Sequence, residues 1–102
     1  MRTALTDGTG RWFDKSKAER FNEATTFNGT NHVSIATGSQ FEHETLFRAP
    51  SGRWILHEWS QWQGAGESWD EITGAAAAKW LVANKHEPHT SVVADFASLE
   101  IK

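Results

Sequence analysis

Five histidines are the side chains in this sequence best suited to acid–base or metal chemistry, and three of them are followed directly by glutamate. None completes H-E-x-x-H, the spacing that sets two imidazoles on one helical face beside a general base. His43 and His57 can be diagonal neighbours on paired strands, close enough to share a metal ion. His86 and His89, with Glu87 between them, form a second weak candidate. Solvated or hydrogen-bonded histidines are the commoner case, so we predict no metal and no cofactor.

The sequence offers no other recognisable catalytic arrangement. It has no cysteine and no G-x-S-x-G elbow, and its glycine-rich stretches do not match a phosphate-binding or dinucleotide-binding loop. Asp70 and Glu71 are adjacent, so on a strand they point to opposite faces. We therefore expect a protein that is not an enzyme. The alternative is a small enzyme or metal-dependent protein that uses His43, His57 and Glu58.

Tryptophan is the second notable residue type, and three of the six indoles lie at positions 54, 59 and 62. On a strand Trp54 and Trp62 share one face, whereas Trp59 lies on the other. All three cannot enter one core without a bulge, so we expect at least one at an open sheet face or against a partner. Plain core packing is the competing interpretation. The predicted partner-binding residues are Trp54, Trp59, Gln61, Trp62 and Gln63.

Charge and composition limit the partners and the compartment. Ten basic against thirteen acidic residues leave a net charge of −3, so no positive surplus is available for phosphates and we expect no nucleic acid partner. The start of the chain, MRTALTDGTG, lacks the apolar run of a secretory signal. No segment approaches the ~18 apolar residues of a membrane span. Since cysteine is also absent, we expect a cytoplasmic protein.

The elements that must position these residues begin with a hairpin and a helix. A glycine-rich turn, DGTG, joins two predicted strands near residues 2–6 and 11–14. Ser16 and Glu19 have the spacing of a capping box, in which each side chain satisfies a free backbone N–H group. Apolar residues follow at helical spacing, so the sequence predicts a helix over 16–27.

Residues 41–63 predict a second, longer hairpin whose register decides which side chains face each other. The turn residues Pro-Ser-Gly at 50–52 suit a three-residue loop, which sets Glu44 opposite Glu58, a like-charge pair. A four-residue loop instead sets Glu44 opposite His57. We favour the three-residue loop, because an exposed charge pair is worth only about a few tenths of a kcal/mol. That loop pairs Ala49 with Arg53, Leu46 with Leu56 and His43 with Trp59.

The remaining elements are short. One candidate strand lies at 32–36, and another at 68–73 can return to the sheet. Thr73 is a plausible N-cap for a helix over 74–84, where four successive alanines have high helix propensity. The tail at 89–101 predicts one more short helix.

Together these elements predict a single α+β domain over residues 1–102. Its core is a mostly antiparallel sheet built from two β-hairpins, with two or three helices packed on one face. The other face is expected to stay open, and monomers rarely tolerate an apolar patch above a few hundred Å². A two-fold copy of the same chain would close that face, so we predict a homodimer.

The stretch GRWILHEWSQWQG, followed by AAAAKWL, resembles short bacterial proteins of unassigned activity. Those proteins carry a G-R-W-x-L…W-S-Q-W-Q-G hairpin before an A-x-W-L helix. The resemblance covers residues 42–86 and implies a compact domain of bacterial or mobile-element origin. It brings no activity and no functional residue with it.

The sequence therefore favours a small, non-enzymatic interaction or regulatory domain. It would bind a protein partner, or a second copy of itself, through a sheet face that bears tryptophan. A further alternative is carbohydrate or single-stranded nucleic acid binding through a tryptophan platform, although single-strand binders also need a positive groove.

Overall fold

The computed structural model describes residues 2–27, 29–39, 41–61 and 66–87, and four positions near the end of the chain, 92, 97, 100 and 101. Over these residues the fold is mostly β, with eight strands in three antiparallel sheets and one α-helix. The elements are β1 (Arg2–Ala4), β2 (Trp12–Asp14), a 3-10 helix (Lys15–Lys17), β3 (Glu19–Asn22), β4 (Thr25–Phe27), β5 (His32–Ser34), β6 (Glu42–Arg48), β7 (Trp54–Ser60), β8 (Ser68–Ile72) and α1 (Gly74–Ala83).

The central sheet has the strand order β3-β6-β7-β8, and its middle is the long hairpin of β6 and β7. The Ala49 N–H donates to the Arg53 carbonyl at 2.9 Å, which closes a three-residue loop. Within that loop Gly52 takes a φ of 92°, which favours glycine because a side chain would be strained there. Glu44 lies opposite Glu58, so the favoured register is confirmed.

Helix α1 covers one face of the central sheet. Thr73 caps the helix as predicted, because its Oγ1 accepts the Ala76 N–H at 3.1 Å. The small side chain of Ala77 is fully buried and lets the helix lie close to the strands. Leu81 is also fully buried and belongs to the same core cluster as Trp54 from β7. The predicted helix is confirmed.

The other face of the central sheet carries the N-terminal hairpin of β1 and β2, whose prediction is also confirmed. The ring of Phe13 packs 5.8 Å, between centroids, from the rings of Phe47 and Trp69. Thr6 fixes the hairpin to the edge strand β8: its N–H donates to the Trp69 carbonyl at 2.8 Å, and its hydroxyl oxygen accepts the Trp69 N–H at 2.9 Å. This face is therefore covered in part. The homodimer stays a prediction. The fully open sheet face from which it was argued is not present, because the N-terminal hairpin covers part of that face.

The predicted α+β fold with two or three helices on one face is wrong, because the described residues form a mostly β structure with one α-helix. The helix expected over 16–27 is replaced by the 3-10 helix, β3 and β4. Asp14 caps that short turn, since its Oδ1 accepts the Ser16 N–H at 3.0 Å, and the backbone is extended again one turn later. Phe21 then lies opposite Leu46 in the sheet. Burial of this ring outweighs a weak local helix signal.

The smaller predictions have mixed outcomes. The strand expected at 32–36 is present as β5, which pairs with β4 in a separate two-stranded sheet. The strand expected at 68–73 is β8, at the edge of the central sheet. The helix expected at 89–101 falls largely outside the described residues. Of the positions that are described there, Val92 is buried in the helix-side core.

The layer between α1 and the sheet should dominate stability. Leu81→Ala is expected to lower the free energy of unfolding by about 2–5 kcal/mol, because it removes a fully buried side chain and leaves a cavity. Val82→Ala is the matched control on the same helix, since Val82 is 47% exposed, and it should cost well under about 1 kcal/mol. Urea unfolding followed by circular dichroism measures both. Equal costs for the two variants would contradict this packing.

Candidate functional site

The structure separates the predicted partner-binding residues. Trp54 lies in the helix-side core, where it is only 4% exposed and its ring centroid is 5.6 Å from that of Phe21. Trp59 lies half-buried on the opposite face, and Gln61 is exposed just after β7. The other two predicted residues, Trp62 and Gln63, lie outside the described residues. Trp59 and Gln61 are thus the two for which a surface role stays open in the described part of the chain.

Indole and imidazole rings alternate along the face that bears Trp59. The His57 ring stacks on Trp69 with 3.5 Å between centroids and 9° between planes. Trp59 follows, with its centroid 6.3 Å from His57 and 4.5 Å from His43. The Trp59 Nε1–H donates to the Thr45 hydroxyl at 3.3 Å. This row of rings crosses three strands and fixes the position of the Trp59 indole.

Each histidine in the row is held by a glutamate. The Nε2 atom of His57 lies 2.8 Å from an Oε2 atom of Glu67. Burial lowers the pKa of His57, and the Glu67 carboxylate opposes that change. The hydrogen bond from His57 in turn lowers the pKa of Glu67. His43 is held through its Nδ1 atom by Glu23, and its Nε2 atom is buried without a hydrogen-bond partner.

Glu23 is a largely buried carboxylate that joins three parts of the chain. Besides His43, it accepts the Ser34 hydroxyl at 2.6 Å and the Glu44 backbone N–H at 2.8 Å. These bonds tie the segment between β3 and β4 to β5 and to β6. Sequence reasoning missed this residue, because it lay inside a predicted helix and its partners are 11 to 21 positions away.

A pocket of about 440 Å³ lies at the end of the β6–β7 hairpin away from its turn. Four glutamates contribute to its lining, and no lysine or arginine does so among the described residues. The volume is within the range of about 300–1,000 Å³ that is common for ligand pockets. We call this cavity the acidic pocket; its characteristic residues are Glu42, His43, Glu44, Glu58, Trp59 and Glu67.

Glu44 is a carboxylate of the acidic pocket whose surroundings disfavour its charged form. It lies directly opposite Glu58 in the hairpin, and like charges at such positions destabilise a sheet. Burial raises the pKa of Glu44, and the carboxylates of Glu58 and Glu23 raise it further. A hydrogen bond from the Trp80 Nε1–H, 3.0 Å from the Glu44 Oε1, works in the opposite direction. The pocket therefore holds negative charge that the protein itself leaves poorly compensated.

The residues of the enzymatic alternative are only partly brought together. His43 and Glu58 line the acidic pocket, whereas His57 does not and is engaged by Glu67 and Trp69. Within the described ranges, no group of three or more histidine, aspartate or glutamate side chains is arranged to hold a metal ion.

The second histidine candidate also has a structural partner. The Nε2 atom of His86 lies 2.6 Å from the Asn22 carbonyl oxygen. The His86 ring stacks on Trp80, with 6.0 Å between the ring centroids and 16° between the ring planes. These contacts join the end of α1 to strand β3. His89, the other member of this pair, lies outside the described residues.

Comparisons with protein-family models, with curated proteins and with solved structures found no match to this chain. The resemblance to short bacterial proteins therefore stays a prediction. In the part of the chain that is described, no helix combines the length and the hydropathy that a membrane span requires.

The raised pKa of Glu44 predicts how the stability of the protein depends on pH. Because the pKa of Glu44 is raised in the folded state, its contribution to stability is complete below the ordinary pKa of 4.5 and is lost as pH rises through the folded pKa. Glu44→Gln should therefore be more stable than the parent at neutral pH, and the difference should vanish below pH 4.5. Urea unfolding at a series of pH values measures this difference.

Glu42→Gln is the control, because Glu42 is exposed in the same strand and its substitution should change the free energy of unfolding only slightly. A Glu44→Gln variant that is less stable than the parent at neutral pH would contradict the claim that the charged form of Glu44 is unfavourable in the folded protein.

Proposed function

We propose that this protein is a small interaction domain that binds a basic segment of a partner protein, with a lysine or arginine side chain in the acidic pocket. The observation that carries the proposal is the lining of that pocket. Four glutamates and Trp59 contribute to the lining of one cavity, and no lysine or arginine of the described chain does so.

Electrostatics favour a cationic occupant. The opposed carboxylates of Glu44 and Glu58 repel each other, and a cation between them converts that repulsion into attraction. Carboxylate–guanidinium and carboxylate–ammonium hydrogen bonds contribute about 1.5–3 kcal/mol each when they are charge-assisted. The repulsion between the Glu44 and Glu58 carboxylates, which is unfavourable in the free protein, is thus relieved when a cation binds.

The aromatic part of the pocket suits the same ligand. A lysine or arginine side chain has an apolar stem and a charged head, and such a cation gains further energy beside an indole through a cation–π interaction. Trp59 is held in place by Thr45 and by its stacking neighbours, so little side-chain entropy is lost on binding. Ser68 also lines the pocket, and a serine hydroxyl can accept a hydrogen bond from the ligand.

The other binding functions are less well supported by this site. A nucleic acid would bring phosphates against four carboxylates, which repel them. A neutral sugar can stack on Trp59, but it gains nothing from the charge. We place the interaction in the cytoplasm, in keeping with a chain that contains no cysteine. A second copy of the chain stays an alternative partner.

Calorimetric titration with a basic peptide tests the proposal. The probe is acetylated and amidated Gly-Arg-Lys-Arg-Gly, and the reference peptide has glutamine at the three basic positions. We expect the basic peptide to bind the parent protein and to lose affinity at least about tenfold in the double variant Glu44→Gln/Glu58→Gln. Higher salt should weaken binding, because the attraction is electrostatic.

The double variant Glu87→Gln/Glu100→Gln is the matched control. It makes the same change in net charge at two exposed positions that do not line the pocket, and it should bind like the parent. Equal losses in the two double variants would mean that only the overall charge matters. That result, or equal binding of the glutamine peptide, would contradict the proposed site.

A further inference from the structure

A second pocket, also of about 440 Å³, lies between the N-terminal hairpin and the turn of the β6–β7 hairpin. It shares no lining residue with the acidic pocket. We call it the arginine pocket, because two arginines and one glutamate form its charged part, so its lining carries one net positive charge. Those residues are Arg11, Arg53 and Glu71.

The floor of the arginine pocket is apolar. Phe13 and Ile55 are buried residues of the hairpin-side core, and Leu5 packs against the same cluster. Trp12 forms part of the wall and is 56% exposed, which is unusual for so large an apolar side chain. The Arg2 guanidinium lies 5.0 Å from its ring centroid, so one contact of the indole is already made.

Glu71 holds the two arginines at the rim of the pocket. Its Oε1 accepts from the Arg11 Nη1 at 2.6 Å and from the Arg53 Nη1 at 3.2 Å. Arg11 is further engaged, because its Nη2 donates to Asp7 at 3.0 Å and its Nε donates to Thr9 at 3.2 Å. Arg11 is therefore a structural cation that fixes the turn of the first hairpin.

Arg53 differs from Arg11 in the number of N–H groups that remain available for a ligand. Among the described residues it donates only through Nη1, to the two oxygens of Glu71 at 3.2 and 3.3 Å. Its Nε–H and Nη2–H groups remain, on a side chain that is 62% exposed at the rim of an apolar cavity. A guanidinium that is tethered at one nitrogen and presents others matches the two oxygens of a carboxylate.

We infer that the arginine pocket binds a monocarboxylate with an aromatic or branched apolar body. The body would lie on Phe13, Ile55 and Trp12, and the carboxylate would pair with Arg53. This chemistry belongs both to a free aromatic acid and to the C-terminal residue of a peptide. The site is separate from the proposed function, since it takes a ligand of opposite charge at different residues.

The test uses both sources of the carboxylate. N-acetyl-phenylalanine represents the free acid and Gly-Gly-Gly-Gly-Phe the peptide C-terminus, and each is compared with its carboxamide by saturation-transfer nuclear magnetic resonance. We expect at least one acid to bind and its carboxamide to bind at least about tenfold more weakly. If both acids bind, a carboxylate and its apolar side chain are sufficient for recognition by the pocket. If the peptide binds and N-acetyl-phenylalanine does not, the ligand is a protein C-terminus.

Two variants locate the interaction. Arg53→Gln should weaken binding of the acid about tenfold or more, whereas Arg20→Gln, which changes an exposed arginine outside the pocket, should leave it unchanged. Circular dichroism checks that both variants fold, and both should still bind the basic peptide at the acidic pocket. Failure of both acids to bind, equal binding of acid and carboxamide, or unchanged binding in Arg53→Gln would overturn the inference.

Discussion

The register of the β6–β7 hairpin is the constraint on which the rest of the structure depends. The three-residue loop, with Gly52 at a φ of 92°, fixes which residues lie opposite each other over the full length of both strands. A shift by one residue would move every side chain of β7 to the other face of the sheet. The same register that pairs Leu46 with Leu56 in the core also opposes Glu44 to Glu58 at the far end. The turn at Gly52 therefore determines both the packing of Leu46 against Leu56 and the repulsion between Glu44 and Glu58.

The two faces of the central sheet are covered by different elements, and two of the pockets among the described residues differ in character. Helix α1 lies on one face, and the short hairpin of β1 and β2 covers only part of the other. Near the turn, that hairpin and the sheet leave a cavity with an apolar floor and arginine at its rim. At the far end the strands themselves form a cavity whose charge is negative. A ligand that fits one of these sites has the wrong charge for the other.

Local chemistry made part of this fold predictable, and long-range contacts account for the rest. The turn at Gly52 and the cap at Thr73 are encoded by neighbouring residues, so the long hairpin, its register and α1 could be read from the sequence. The segment 16–27 could not, since β3 depends on pairing with the distant strand β6, where Phe21 packs against the helix-side core, and β4 depends on pairing with β5. Likewise Glu23 has no local signature, as its partners come from β5 and β6. The partner-binding role predicted for Trp59 stays a prediction, and its place in the lining of the acidic pocket could be seen only in the fold.

The most direct test of the central claim is a nuclear magnetic resonance titration of isotopically labelled protein with the basic peptide. If the acidic pocket is the site, the largest shift changes should occur at the amides of residues 42–44, 58–60 and 66–68 and at the Trp59 Nε1–H, which surround the pocket. Amides beside Trp12 and Arg53 should change little, because they line the other cavity. Changes that centre on the arginine pocket, or that spread evenly over the acidic surface, would contradict the account.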